Sequence, residues 1–204
     1  MPKLNASVLN LKGSMRYPSS CTVSRKFWVS DCQGSSTEKS CAPEKGHCLI
    51  NFQSSAKKLF MVIEGAVITD FVGSNGEKRT IMFHTEQFCP FFKSYDVFFQ
   101  HKHSCYEVRA TEHTVVAVID FEYFYQYILQ DIEVLRFYTH ATEQLFLITE
   151  QLRNNQLTLT SEEYLEWLYE HFAFLFGRFP AQNIASFMGI TPVWLSKLKA
   201  KLFS

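Results

Sequence analysis

Three groups of side chains in this chain could do chemistry. The first is histidine: His84, His101, His103 and His113. His101-Lys102-His103 supplies the His-x-His half of a metal site, but no Glu and distant His follow at the spacing that would complete it. The same three residues could instead hold an anion, or form a charged surface loop. The second group is cysteine, at positions 21, 32, 41, 48, 89 and 105. No pair has CxxC spacing, so reduced, partly buried thiols are expected. A redox or metal sensor built on Cys21, Cys32, Cys41 and Cys48 is the rival reading, and its gaps match no defensible metal pattern. Neither group assigns a catalytic residue, a metal or a cofactor, so the chain reads as a non-enzyme.

The third group lies at the C-terminus, and its chemistry is recognition. Ile184, Ala185, Phe187 and Met188 form the apolar face of a short helix. Gly189 supplies the left-handed residue that ends it. Ile190 is the apolar residue of a turn, Thr191 an N-cap, and Pro192 a first helical residue whose missing N–H costs nothing. In the helix that follows, Trp194, Leu195 and Leu198 are expected on one buried face, with Val193, Ser196, Lys197, Ala200 and Lys201 elsewhere. This order is that of a helix-turn-helix. The chain has 20 Lys and Arg against 20 Asp and Glu, a net charge of zero. Residues 178–204 hold four cations (Arg178, Lys197, Lys199, Lys201) and no acid, a local +4. A basic face of this kind suits phosphate, with the start of the second helix reaching base edges. An ordinary α-hairpin with a solvated basic face is the bland alternative.

The elements that must position these residues follow from periodicity. Residues 1–42 show no sustained period and read as an irregular N-terminal segment. Residues 43–130 read as a small β-roll. Leu59–Ile63 and Ala66–Val72 are strands parted by Glu64-Gly65, and Asn75-Gly76 marks a hairpin to a strand starting at Lys78. Cys105–Ala110 and Thr114–Ile119 are expected to pair across Thr111–His113. The period then becomes helical. Phe121 to Leu129 is a short helix and Ile132 to Arg153 a long one, within a segment bounded as 131–155. Leu135, Tyr138, Thr142, Leu145, Thr149 and Leu152 form a heptad-like seam. That seam fits either a dimer helix or a face packed on the roll. Thr160-Ser-Glu-Glu163 is a capping box opening a further helix, broken at Gly177-Arg-Phe-Pro180. Residues 156–204 are the helix-turn-helix unit. No apolar run approaches the roughly 20 residues of a membrane helix, and no secretory signal opens the chain, so a cytoplasmic location is expected.

Glu44-Lys-Gly-His-Cys-Leu-Ile50 followed by Leu59–Gly65, and Asn183–Pro192 with Leu195-Ser-Lys-Leu198, resemble the Crp/Fnr superfamily of bacterial regulators, in its Bacteroidetes branch. The likeness spans about residues 43–204. It implies an α+β architecture: a jelly-roll domain of the cyclic-nucleotide-binding kind, a long dimerisation helix and a C-terminal helix-turn-helix. It implies a homodimer on double-stranded DNA, with Thr191, Pro192, Val193, Ser196 and Lys197 facing the major groove and Lys201 beside them.

Departures from the family pattern are equally informative. Cyclic-AMP-binding members use a Gly-Glu pair for the ribose and an Arg-Ser/Thr pair for the phosphate. Alignment on Phe88–Phe91 puts Pro90 and Phe91 at the first pair, and alignment on His103-Ser104 puts His103 at the Arg. Phe91 cannot accept from a hydroxyl, and imidazole is a poor substitute for a bidentate guanidinium. An effector pocket at Phe91, His103 and Ser104 is therefore expected to be divergent or orphan, without tight cyclic AMP binding. The family's helices before the roll are not visible in residues 1–42, its iron–sulfur cysteine spacing is absent, and no wing follows the second helix. The expected function is transcription regulation. The alternatives are a small-molecule-binding or protein-interaction module that has lost operator binding, and, more remotely, an enzyme on a cupin-like roll.

Overall fold

β-branched and aromatic residues between Glu38 and Asp120 are organised into eight strands in a computed structural model that describes residues 38–202. These are β1 Glu38–Cys41, β2 Cys48–Ile50, β3 Lys58–Glu64, β4 Ala66–Val72, β5 Lys78–Thr85, β6 Phe91–Phe92, β7 Tyr106–Ala110 and β8 Val115–Asp120. They form two four-stranded sheets, β1-β8-β3-β6 and β2-β7-β4-β5. Neighbouring strands run antiparallel. Phe60, Val62, Val67, Phe92, Val108 and Val116 meet between the sheets. The irregular segment expected at the N-terminus lies outside the described residues up to position 37. Its last residues differ from expectation, because Glu38–Cys41 pairs with β8.

The expected pairing across Thr111–His113 is not formed. β7 pairs with β2 and β4, whereas β8 pairs with β1 and β3. The chain changes sheets at this corner, and it does so again between β3 and β4. Gly65 and Thr114 bind the two corners together. Gly65 has φ +102°, and a Cβ there would stand 2.7 Å from the carbonyl oxygen of His113 and the Cα of Thr114. The amide of Ala66 donates to Thr114 Oγ1, and the hydroxyl of Thr111 donates to the Ala66 carbonyl.

Seven helices occupy the rest of the described residues: α1 Tyr95–Phe99, α2 Phe121–Ile128, α3 Ile132–Thr158, α4 Ser161–Phe172, α5 Phe174–Arg178, α6 Ala181–Met188 and α7 Pro192–Leu202. Asp120 and Asp131 cap α2 and α3 by accepting from backbone amides. The capping box of Thr160 and Glu163 is formed. Gly177 does not break the chain where expected: it lies inside α5, and the extended pre-proline residue Phe179 ends that helix. α3 runs past Arg153, since nothing before Leu159 interrupts it.

The seam expected on α3 straddles two faces. Tyr138, Leu145 and Leu152 turn inward, alongside buried Val134, Ala141 and Ile148. Leu135, Thr142 and Thr149 turn outward, in line with exposed Ile132 and Phe146. Both readings of the seam thus have a face on this helix. No helix among the described residues is long and apolar enough to cross a membrane.

Roll and C-terminal helices share one core, in which Ile68, Met82, Phe83 and Phe88 meet Leu168, Phe172, Phe179 and Phe187. Gly65→Ala should destabilise the protein by about 2–4 kcal/mol, through strain at positive φ plus overpacking against backbone. Equilibrium denaturant unfolding measures this. A change under about 0.5 kcal/mol, the scale of an ordinary surface substitution, would refute the corner account.

Candidate nucleic-acid interface

The turn between α6 and α7 is built as its residues dictate. Gly189 takes φ +73°. Its amide donates to the Ser186 carbonyl and that of Ile190 to Ala185, which closes the end of α6. Thr191 Oγ1 accepts from the Trp194 amide at 3.2 Å, so it caps α7, with Pro192 in the first turn. Leu195 and Leu198 are buried beneath the helix.

The opposite stripe, Val193, Ser196, Lys197 and Ala200, is exposed, as are Thr191, Pro192 and Lys201. Trp194 departs from expectation. It is 46% exposed, against 67% for its neighbour Val193. It shares Leu198's side of the helix but lies one turn nearer the start. The reading of Trp194 as a core residue missed this.

The local +4 does not survive folding as a basic face. Arg178 spans two carboxylates: its Nη1 and Nη2 donate to Glu86 at 2.9 and 3.1 Å, and its Nη2 to Glu112 at 2.8 Å. Lys201 pairs with Glu162 at 2.6 Å. Lys199 lies 4.8 Å from the ring centre of Phe176. Among the described residues, Lys197 is the cation on the outer stripe without a carboxylate partner. The carboxylate partners are 92 and 66 residues from Arg178 in sequence, so a local charge count cannot see them.

The helix-turn-helix is seated on the roll's edge strand. The Thr80 amide of β5 donates to Ser186 Oγ at 3.0 Å, and Thr80 Oγ1 donates to buried Asp70. Arg109 neutralises Asp70 at 3.1 Å. Phe83 packs against Phe179 and Phe187, with ring centres 4.6 and 5.1 Å away.

The three effector-pocket candidates have separate roles. Phe91 lies on β6, opposite Met61, with its ring against Phe137 of α3. The short helix begins at Tyr95, so Phe91 does not stand at its head. Ser104 is buried, and its hydroxyl both donates to the Tyr106 carbonyl and accepts from the Tyr106 amide. His103 is exposed, as are His101 and Lys102.

A residue that the motif search passed over is Lys93. It is buried, and its ammonium lies 4.5–5.5 Å from the ring centres of Tyr95, Phe98, Phe99, Phe121 and Tyr138. It donates to Tyr138 of α3 at 2.9 Å, tying the α1 region to the long helix. Burial lowers its pKa to about 8. The sequence signal was a lone cation inside Phe91-Phe92-Lys93-Ser94-Tyr95.

His84 is a satisfied core histidine between Thr69 Oγ1 and the Cys89 carbonyl, and burial pushes it down to about 4. No three His, Cys, Asp or Glu among the described residues cluster to hold a metal. Burial pushes the thiols of Cys41, Cys48 and Cys105 up, and that of Cys89 to about 12, away from the reactive thiolate form. Cys21 and Cys32 lie outside the described residues.

No protein-family model and no curated protein matches the sequence. Solved structures do match in fold. FixK2 from Bradyrhizobium japonicum superposes with a TM-score of 0.65 at 17% identity, over 81% of this chain and 84% of that one. A CooA variant from Carboxydothermus hydrogenoformans gives 0.65 at 15%, over 80% and 75%. The c-di-GMP-responsive global regulator CLP of Xanthomonas campestris gives 0.64 at 13%, over 87% and 89%.

Two titrations follow from these environments. Partial burial raises the Glu86 carboxyl, but hydrogen bonds from Arg178 and backbone amides outweigh it and hold the group below its ordinary 4.5. Its contribution to stability is therefore present above 4.5 and fades as pH falls through the depressed pKa. The stability gap between wild type and Glu86→Gln should be open at neutral pH and close in acid, as read by urea unfolding at several pH values. Lys93 behaves oppositely. Between its folded value of about 8 and its ordinary 10.5 the unfolded chain binds more protons, so stability rises with pH. Lys93→Met should flatten that rise between about pH 8 and 10, below the ionisation of Tyr95 and Tyr138.

Proposed function

We propose that this chain, which has the Crp/Fnr-type regulator fold, is a dimeric DNA-binding transcription regulator whose roll has an effector pocket unlike that of cyclic-AMP-binding members. The observation that carries this reading is the outer stripe of α7. A capped helix seated on α6 presents Thr191, Pro192, Val193, Ser196 and Lys197 to solvent, with small side chains where a groove floor would approach. Lys197 supplies phosphate affinity, and Lys201 adds to it only by leaving Glu162.

The outward stripe of α3 supplies the dimer face. Ile132, Leu135 and Phe146 recur on one side of a 27-residue helix, and Phe146 is 64% exposed. A second copy of the helix packed there by the coiled-coil rule places two reading helices on one duplex. An effector in the roll would act by shifting the angle between the paired helices. The lack of a free Ser104 hydroxyl, the apolar Phe91 and the solvent-facing His103 support weak or absent cyclic AMP binding.

The pairing of Arg178 and Lys201 favours a second reading, a small-molecule-binding or protein-interaction module that has lost operator binding. Selection of bound sites from a random duplex pool separates the two. A palindromic consensus supports the regulator; no enrichment supports the module. Lys197→Ala should lower the slope of log affinity against log salt by about 1 per protomer. Phe146→Glu should give a monomer in sedimentation and remove binding to the selected palindrome; a Phe146→Glu dimer would refute the α3 interface.

A further inference from the structure

The side chains that α7 exposes are unusual for a helix that reads bases. Its sequence, Pro192 to Leu202, contains no Arg, Asn, Gln, Asp or Glu. These are most of the side chains that read guanine, adenine or cytosine by hydrogen bonds, which leaves Ser196 and the lysines as the polar groups of this helix. The first turn instead exposes Val193 at 67% and Trp194 at 46%. The buried residues of α7 are Leu195 and Leu198; Val193 lies opposite them, and Trp194, on Leu198's side, still leaves 46% of its surface exposed. Trp194 makes no ring stack with a described residue. An apolar pair left in water at the exposed start of a helix has a binding use or is a liability.

Flanking residues narrow the ligand. Thr191 Oγ1 is occupied by its capping bond, which leaves its methyl free for apolar contact. Ser196 and Ala200 are small, so the helix can come close to a groove floor. Lys197 is a flexible point charge and suits a phosphate oxygen. The one apolar group that a major groove displays on a standard base is the C5 methyl of thymine.

Resting on the regulator reading above, we infer that Val193 and Trp194 form an apolar reader of thymine methyl groups, so that the operator half-site is recognised mainly at A·T pairs. Val193, nearer the centre of the outer stripe, takes the first methyl. The broader indole of Trp194 covers a neighbouring thymine or the sugar edge beside it.

The test uses the full-length protein and the best duplex from the random-pool selection. Thymines of the half-site are replaced one at a time by deoxyuridine, which keeps every hydrogen bond and deletes the methyl. Affinity is measured by fluorescence anisotropy at fixed salt. Burying one methyl at roughly 0.8 kcal/mol corresponds to about a fourfold loss per read thymine, and about fifteenfold for a symmetric pair. Val193→Ala and Trp194→Ala should bind thymine and deoxyuridine duplexes equally while keeping the wild-type salt slope.

Equal affinity of wild type for both duplexes, or a site whose binding collapses when 7-deazaguanine replaces guanine, overturns the thymine reader and leaves operator binding standing. Failure to enrich any duplex, with no salt-dependent binding to the pool, overturns the regulator reading itself.

Discussion

The edge of one sheet governs the arrangement of the whole molecule. β5 has a strand neighbour on one side only, β4. An open edge exposes backbone N–H and C=O groups and invites pairing with another chain. Here α6 covers it, and the amide of Thr80 is satisfied by the hydroxyl of Ser186. Phe83, on the same strand, is almost fully buried because Phe179 and Phe187 close over it. Burying an aromatic ring is among the larger single apolar contributions to stability. The strand and the helix-turn-helix therefore need one another: without α6, the roll has an unpaired edge and an exposed phenyl ring.

Much of this was legible in the sequence, because much of it is local. The helix-turn-helix followed from five adjacent choices: an apolar face, a glycine at positive φ, a partly buried apolar turn residue, a capping threonine and a first-turn proline. The capping box at Thr160 was legible for the same reason. What escaped was decided by partners far away in the chain. Strand propensity at 105–119 says nothing about which sheet each strand joins, and the corner at Gly65 and Thr114 sends them to different ones. The basic tail misled because Glu86 and Glu112 are distant in sequence but adjacent to Arg178 in the fold. A helical wheel put Trp194 with the core, since a wheel does not record where along its length a helix meets its neighbours.

Lys93 shows how a polar group can be kept where propensity places apolar ones. An isolated buried ammonium is costly. The ring faces around it supply partial negative charge, and Tyr138 supplies one hydrogen bond, so the cost is reduced without a carboxylate. The consequence is mechanical. The residue after β6 is fastened to α3 by a directed contact that a hydrocarbon side chain would not make. On the regulator reading, the path from roll to dimer helix starts at this contact.

On the regulator reading, the ion pairs also bear on how charge and apolar contact would share the work of binding. A protein that neutralises many phosphates binds any duplex well and must build specificity on that background. With Arg178 and Lys201 paired, phosphate contact on that reading falls to Lys197, Lys199 and Arg79 beside the turn. Non-specific affinity would then be correspondingly small, and a single reading helix would hold DNA weakly. On the regulator reading, linking two such helices through α3 would make the second contact intramolecular, so affinity would depend on the spacing between them. The pairing of Arg178 and Lys201 thus gives the geometry of the paired long helices, on the same reading, more weight in binding. On that reading, the Lys93–Tyr138 contact, which anchors the long helix to the roll, is well placed to set that geometry.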